Sequence, residues 1–364
     1  MGEQPARVRF HWSLSAAADP GRGALPRAAQ SGSVDLDRLA EFCRQAERCG
    51  IDSLLTAFGF HRPDPIVLAT ALAARTQQVR FLVAVRSGVT SPTAFVQQVN
   101  TVASLAGGRI ALNVVAGHTP EEQRGYGDFL PHDERYARTD EFLTVCRALW
   151  TSDDPVTFQG TFYRVENARL NTRFPGPGGS RPEIYLGGNS QQAEALAAKH
   201  ASCLLCLPAP PDRMAPSVAA LRSQGTEVGL LVSLLVRPTR EEAVAASAAM
   251  LESLGARPRQ THRAFRERSD SVAFTSMLHL AEQSQSPWLT PTLWTGAVPY
   301  LGAPAVALVG SPDEVASALL DYVAVGVTQF LFMGWPDVEE MMRFARDVEP
   351  RIREREARAA TLII

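Results

Sequence analysis

The stretch that decides the fold is residues 79–115, VRFLVAVRSGVTSPTAFVQQVNTVASLAGGRIALNVV. It begins with a β-branched apolar run, 79–85, which is typical of a buried strand. A Ser-Pro pair at 91–92 then provides a helix cap and a proline at the first helical position. Two glycines at 107–108 end that helix, and a second apolar run, 109–115, follows at once. The stretch therefore predicts a strand–helix–strand unit of a parallel sheet.

The same alternation extends along the chain in both directions. Further strands are predicted at 8–12, 53–57, 183–187, 203–207, 227–237 and 329–333. Helical spacing of apolar residues predicts helices at 35–49, 65–76, 135–151, 240–254 and 338–348, and another from Ser190 onward. Eight strands, mostly followed by helices, predict an α/β fold, a closed TIM-type (β/α)₈ barrel forming a single domain over 1–364. An open doubly wound sheet competes, but no GxGxxG motif follows the first strand.

Two segments interrupt the alternation. Residues 156–170 contain a Gln159–Gly160 pair between two short strand patterns, which predicts a β-hairpin insertion. Residues 256–292, before the last strand, are rich in arginine, serine and glutamine. A polar insertion of this length inside a compact domain is usually an active-site lid or a disordered loop.

Composition restricts the functional classes. The formal net charge of −2 and the absence of long like-charged blocks disfavour nucleic-acid binding. There is no apolar leader and no run of 18 apolar residues, so we expect a cytoplasmic protein without a membrane segment. Cys203 and Cys206 form the CxxC pair, but their apolar flanks indicate buried thiols rather than a metal site. No His/Asp/Glu cluster has metal-ligand spacing, and no metal is predicted.

In barrels of this kind the working face lies at the carboxyl ends of the strands. That rule selects the side chains near the predicted strand ends: His11, Trp12, His61, Arg62, Asp64, Arg86, Asn113, His118, Ser233 and Trp335. No Ser-His-Asp set, GxSxG, HExxH or Walker motif is present, so an organic cofactor is the natural source of reactivity.

Two local motifs suit an anionic ligand. Gly187 and Gly188 let the backbone approach an anion, and Asn189 and Ser190 then stand at a helix N-terminus that favours phosphate. A tight turn with a serine cap explains the same residues equally well. His132 and Tyr136, four apart at a helix start, would face the same way and could both donate to a bound anion. An ordinary surface pair is the alternative.

Several stretches, taken together, resemble the bacterial luciferase-like flavin monooxygenases, most closely the alkanesulfonate monooxygenases. The stretches are 81–93, 107–117, 132–136 with Phe142, 186–190, 293–296 and 307–310. The resemblance covers roughly residues 8–348. It implies that a separate NAD(P)H-dependent flavin reductase supplies reduced FMN, which reacts with O₂ to give a C4a-(hydro)peroxyflavin that oxygenates an organic substrate. Water must be excluded to protect that intermediate, and 256–292 would match the family's mobile loop.

The resemblance also implies site residues. Gly188, Asn189 and Ser190 match the phosphate turn, His132 and Tyr136 the pair beside the phosphate and ring, and Asn113 a polar group near the isoalloxazine. Asp64 and Arg86 are weaker matches to flavin contacts. A homodimer or homotetramer, associating through the second and third helices, is expected on the same ground.

The substrate positions depart from the alkanesulfonate pattern. Where those enzymes have two arginines, a histidine, a cysteine and a tyrosine, this chain has Leu231, Leu301, Ser233, Arg62 and Trp335. A buried sulfonate without paired cations would be strongly destabilised, so we expect a larger, less charged substrate. Catalytic or substrate-binding candidates are His11, Arg62, Ser233 and Trp335. The alanine- and arginine-rich composition is compatible with a role in specialised metabolism and with a substrate tethered to a carrier protein.

Three alternatives stay open. The same barrel serves deazaflavin (F420)-dependent oxidoreductases, alkanesulfonate-type desulfonation is the family precedent, and a non-catalytic flavin-binding relative is conceivable. The long polar insertion argues against the last, because a storage protein has little need of a closing loop.

Overall fold

The computed structural model describes residues 7–14, 34–60, 62–117, 119–175, 181–255, 269–284, 286–334 and 337–361. The strands are β1 (Arg9–Ser13), β2 (Ser53–Thr56), β3 (Arg80–Val85), β4 (Ile110–Val114), β5 (Val156–Gln159), β6 (Arg164–Ala168), β7 (Ile184–Gly187), β8 (Cys203–Cys206), β9 (Glu227–Val236), β10 (Leu293–Trp294), β11 (Ala307–Gly310) and β12 (Gln329–Gly334). The helices are α1 (Leu36–Arg48), α2 (Pro65–Ala73), α3 (Pro92–Leu105), α4 (Pro120–Gly125), α5 (His132–Thr151), α6 (Gln191–His200), α7 (Pro211–Ser223), α8 (Arg240–Gly255), α9 (Val272–Gln283), α10 (Val298–Leu301), α11 (Pro312–Ala324), α12 (Asp337–Arg343) and α13 (Glu349–Thr361). A short 3₁₀ turn, Ala303–Ala305, precedes β11, and a π-helical turn, Phe344–Val348, separates α12 from α13.

Eight parallel strands close into a barrel in the order β1, β2, β3, β4, β7, β8, β9 and β12. The closing pair is β12 with β1, where Gln329 lies opposite Arg9 and Phe332 opposite Trp12. The predicted TIM-type barrel is therefore confirmed, and an open sheet is excluded. Its eight strands are those expected from the sequence.

Side chains alternate between the two faces of the barrel wall, as strand geometry requires. Leu82, Tyr185 and Leu331 pack with one another inside the barrel. Phe10 and Phe332 belong to the outer core, and the Phe10 ring meets the Phe344 ring edge-on at 4.9 Å between centroids. The apolar runs that identified the strands thus fill two separate cores, one inside the ring and one beneath the helices.

Side-chain caps fix several of the strand-to-helix turns. The Asp64 carboxylate accepts hydrogen bonds from the backbone N–H groups of Ile66 and Val67 at the start of α2. The Ser91 hydroxyl caps α3 in the same way, as its Ser-Pro pair predicted. Because such caps satisfy N–H groups that a helix leaves free, they determine where each helix begins after its strand.

The hairpin insertion of β5 and β6 lies outside the barrel ring, as predicted. Its turn is one step later than the Gln-Gly signal indicated, because Gln159 still pairs with Arg164. The physical reason is Glu141 on α5, whose carboxylate accepts from the backbone N–H groups of Thr161, Phe162 and Tyr163. A non-local acceptor thereby positions the turn.

Residues 272–283 of the segment predicted as a polar insertion form a helix. Residues 256–268 and 285 lie outside the described residues. The remainder includes α9, which buries Ala273, Met277 and Leu278 on one face and is capped by Ser271. The apolar run near 305–309 forms β11, which pairs with the second half of β9 outside the ring. Among the described helices, none is long and apolar enough to cross a membrane.

Candidate active site

A cavity of about 220 Å³ opens at the carboxyl ends of the barrel strands. Its described lining comes from the ends of β2, β3, β4, β7 and β8, the start of α5 and the first turn of α9. The cavity therefore lies at the end of the barrel where the strand-end rule predicts a working face. Its floor consists of small or aliphatic side chains: Leu55, Ala84, Leu205, Leu231 and Leu331.

The turn after β7 forms one wall of the cavity. Ser190 caps α6 by accepting a hydrogen bond from the Ala193 N–H at 3.1 Å. A Cβ placed on Gly188 would lie 2.7 Å from the Ala193 Cβ, so only glycine fits there without a shift. The backbone thus comes close to the cavity at a helix N-terminus, the geometry that suits a phosphate.

The predicted pair on α5 lies beside this turn. Both His132 and Tyr136 line the cavity, with ring centroids 5.0 Å apart. The Tyr136 hydroxyl lies beside the turn, 3.6 Å from where a Cβ on Gly188 would stand, and burial raises the pKa of Tyr136 above its ordinary value. Tyr136 therefore keeps its proton at neutral pH and offers it as a donor. His132 Nδ1 lies 2.8 Å from the Asp133 carboxylate.

Asn189 lines the cavity, but its side-chain amide is engaged by the end of β8. Its Oδ1 accepts from the Leu207 N–H at 3.0 Å, and its Nδ2 donates to the Leu207 carbonyl at 3.3 Å. The neighbouring Cys206 also lines the cavity, and burial raises the pKa of its thiol to about 12. Cys203 and Cys206 are buried free thiols, as the apolar flanks predicted.

Arg86 directly follows β3, and Asn113 lies within β4, the strand that pairs with β7. The Arg86 side chain is 6% exposed and its Nη2 donates to Glu122 at 3.2 Å. Its guanidinium lies over the rings of Phe58 and Tyr126, with 4.7 and 5.7 Å to the ring centroids. The Asn113 Oδ1 is buried and has no hydrogen-bond partner among the residues that the structure describes.

Arg135, which sequence reasoning did not single out, joins three segments around the cavity. Its guanidinium donates to the Ala116 carbonyl at 3.1 Å, the Leu130 carbonyl at 3.0 Å and the Asp270 carboxylate at 2.6 Å. Asp270 immediately precedes Ser271, the cap of α9, which lines the cavity together with Val272 to Phe274. The buried arginine therefore holds the first turn of α9 over the site. Its only sequence signal is its position within the 132–136 stretch.

Several predicted site residues lie elsewhere. Asp64 is an exposed helix cap and does not line the cavity. His11 is buried inside the lower barrel between Ser53 and Gln329, because β1 runs on to Ser13 and leaves it below the rim. Ser233 is fully buried and donates to the Pro304 carbonyl at 3.0 Å, which occupies its hydroxyl.

The remaining substrate candidates are divided between the floor and the surroundings of the site. Leu231 belongs to the cavity floor. Arg62 is half-buried in the turn after Gly59, and the described lining does not include it. Leu301 ends α10 and packs with the outer cluster around Trp294. His61, His118 and Trp335 lie outside the described residues.

The closed barrel and its strand-end cavity define an enzyme of the (β/α)₈ type. The chain matches the family described as luciferase-like monooxygenase over residues 8–329. Because that match spans most of the chain, the protein belongs to the luciferase-like monooxygenase family, which confirms the resemblance inferred from its motifs.

Solved structures of similar fold come from enzymes with different cofactors. The chain is similar to an EDTA monooxygenase from Chelativorans sp. BNC1 (22% identity, 96% of this chain and 94% of that chain, TM-score 0.76). It is similar to a riboflavin lyase solved with modified FMN and riboflavin (20%, 96% and 92%, TM-score 0.77). It is also similar to an F420-dependent secondary alcohol dehydrogenase (18%, 95% and 99%, TM-score 0.66). At these identities the likeness establishes a shared fold.

Proposed function

We propose that the chain is the oxygenating component of a two-component system. It binds reduced FMN supplied by a separate NAD(P)H-dependent flavin reductase and uses it with O₂ to oxygenate an organic substrate. The observation that carries this proposal is the cavity itself, which joins a phosphate-type turn at Gly188 and Ser190 to an aliphatic floor in one pocket.

The residues present fit a flavin phosphate. The turn at Gly188 and Ser190 would hold the phosphate, with donor groups from Tyr136 and His132 beside it. Asn113, which lines the same cavity, would lie near the ring system. Bound reduced flavin supplies the reaction with O₂.

The chain's own residues would keep water away from that chemistry. Leu205, Leu231 and Leu331 close the bottom of the cavity, and Phe274 of α9 adds an aromatic side chain to its wall. An apolar enclosure matters here because water diverts reactive oxygen intermediates into side reactions. The Cys206 thiol, kept protonated by a pKa of about 12, is a poor nucleophile toward peroxides.

Anaerobic titration tests the proposal. We expect reduced FMN to bind at least about tenfold more tightly than oxidised FMN, and we expect the chain alone not to oxidise NADH. Mixing the reduced-FMN complex with O₂ should oxidise the flavin more slowly than free flavin, because the cavity excludes water. Equal affinity for both redox states together with unprotected oxidation would contradict the proposal.

A deazaflavin-dependent oxidoreductase is the second candidate, favoured by the structural likeness to an F420-dependent dehydrogenase. The same anaerobic titration with F420 separates the two functions. Desulfonation is disfavoured by Leu231, which contributes an aliphatic side chain to the floor where the resemblance placed an arginine. Tight F420 binding without affinity for reduced FMN would replace the monooxygenase proposal.

We also propose that the protein self-associates through α2 and α3. All residues of α2 except Thr70 are apolar, and its Val67 is 68% exposed. Leu105, at the end of α3, is exposed to the same extent, and the two helices pack side by side. An apolar helix surface of this kind is typical of an interface between subunits.

A further inference from the structure

Arg86 and Glu122 form a charge-balanced pair at the edge of the cavity. The two side chains are 6% and 16% exposed, and Arg86 Nη2 lies 3.2 Å from Glu122 Oε1. Among the described residues that line the cavity, Arg86 alone carries a permanent charge. An arginine remains protonated in proteins, so Glu122 cancels the one fixed charge of this wall.

Two nitrogens of Arg86 remain available to a ligand. Its Nε and Nη1 are buried and have no hydrogen-bond partner among the residues described by the structure. The rings of Phe58 and Tyr126 cover the guanidinium, and the Phe60 N–H shares Glu122 Oε1 at 3.3 Å, which fixes the carboxylate in place. Because buried N–H groups are unfavourable without an acceptor, this arrangement suits an oxygen atom of a ligand.

Asn113 provides the complementary acceptor on the same wall. Ala84 of β3 and Asn113 of β4 are register partners, and Arg86 follows Ala84 by two residues on the same face of the wall. Both Arg86 and Asn113 line the cavity, and the Asn113 Oδ1 has no described partner. A donor pair next to an acceptor matches a group in which a carbonyl oxygen adjoins an N–H or O–H.

We propose that Arg86 and Asn113 bind the polar end of an uncharged substrate. Arg86 Nε and Nη1 donate to a carbonyl-type oxygen, Asn113 Oδ1 accepts from the adjoining N–H or O–H, and the apolar body lies on Leu205 and Leu231. Glu122 is the positioning residue that makes the wall neutral, so a bound anion would add a negative charge that no cation of this wall balances. This proposal rests on the proposed function, and it assigns Arg86 and the Asn113 Oδ1 to the substrate instead of the flavin.

Shape-matched probes of different charge test the proposal on the flavin-free protein. Benzamide, benzoate and benzamidinium share one outline, and acetophenone lacks only the N–H of benzamide. By isothermal titration we expect benzamide to bind about tenfold or more tightly than benzoate, acetophenone to fall between them, and benzamidinium not to bind. No preference for benzamide among these probes, or no binding at all, would overturn the proposal.

The Glu122→Gln variant isolates the role of charge balance. It keeps the shape and an acceptor for the Phe60 N–H, but it leaves Arg86 with a net positive charge. We expect benzoate to become the preferred ligand, whereas Glu121→Gln, an exposed carboxylate on the same helix, should leave the order unchanged. An unchanged benzamide-to-benzoate ratio in Glu122→Gln would contradict the positioning role.

A flavin carbonyl could satisfy the same donors, so flavin binding is measured separately. In Arg86→Met we expect benzamide binding to fall at least about tenfold, while the affinity for reduced FMN stays within about twofold. Loss of flavin affinity with benzamide binding intact would assign the site to the flavin and overturn the proposal. Failure of the wild type to bind reduced FMN would instead contradict the proposed function, because the probe series uses no flavin.

Discussion

Tyr136 shows how a single side chain links the phosphate-type turn to the cavity. Its hydroxyl lies near Gly188, and burial raises the pKa of Tyr136 further above neutral pH. We predict that Tyr136→Phe and His132→Ala each weaken reduced-FMN binding by about tenfold, the cost of one hydrogen bond to a charged group. Anaerobic fluorescence titration measures the affinity. His279→Ala, an exposed histidine on α9, is the matched control, and unchanged affinity in both variants would remove the pair from the site.

Gly188 is required for steric reasons that can be measured without any ligand. A methyl group there would press on the Ala193 Cβ at 2.7 Å. We therefore predict that Gly188→Ala lowers the free energy of unfolding by about 1–3 kcal/mol, as measured by urea denaturation. Both Gly188 and Gly225 have a positive φ, of +156° and +79°, but a Cβ on Gly225 would meet nothing within 4 Å. Gly225→Ala should therefore lower the free energy of unfolding by less than Gly188→Ala does. Equal losses would show that backbone strain, and not the contact with Ala193, causes the destabilisation.

At the scale of elements, α9 depends on an ion pair between α5 and the residue that precedes the α9 cap. Arg135 is 1% exposed, and its bond to Asp270 fixes the residue before the cap of α9. We predict that Asp270→Asn lowers the local opening free energy at 270–275 by about 1–3 kcal/mol. Hydrogen exchange of those amides is the measurement. Asp133→Asn, an exposed acid on α5, is the control, and equal exchange in both variants would show that Arg135 does not hold the helix.

The apolar surface of α2 belongs to the same scale. Val67 projects into solvent from a helix whose other face is already buried against the barrel. If α2 lies between subunits, Val67→Glu should shift the protein to a smaller species and raise the dissociation constant by about a hundredfold or more, because it would bury a charge. Analytical ultracentrifugation measures the mass of the species and its dissociation constant. Val244→Glu, on α8, is the exposed control, and no change in mass for Val67→Glu would contradict the proposed interface.

At the scale of the whole molecule, His11 couples barrel stability to pH. Burial lowers the pKa of His11 to about 4, and the neutral ring is held between the Ser53 hydroxyl at 2.8 Å and Gln329 Oε1 at 2.9 Å. The unfolded chain takes up this proton near pH 6.5, whereas the folded barrel resists it. The stabilisation is therefore complete above about pH 6.5 and is lost as the pH falls toward 4.

We predict that this histidine contributes roughly 3 kcal/mol of pH-dependent stability across that window. Urea denaturation of the wild type and His11→Asn between pH 4 and 8 measures it. The difference between the two proteins should shrink as the pH falls, because only the wild type loses the His11 contribution. Parallel pH profiles would show that another group, such as the buried His200, causes the loss.

Much of this architecture could be predicted from local patterns. The eight barrel strands, the caps at Ser91 and Ser190 and the turn at Gly188 all depend on residues near one another in the chain. The helix α9 was harder to predict, because its apolar residues lie within a segment that is polar overall. The helix α7 was not predicted, because Pro216 interrupts its helical pattern. The true turn of the hairpin could not be predicted, since Glu141 sits on another element.

The sequence by itself determined the order of strands and helices, because hydrophobic period and capping act over a few residues. Only the tertiary structure decided which strand-end residues meet. In the closed barrel, His11 lies beneath the rim and contacts Gln329. The Ser233 hydroxyl donates to a backbone carbonyl, and Glu122 forms an ion pair with Arg86. These contacts join residues far apart in the chain, and their energies depend on burial and distance, which no local pattern contains.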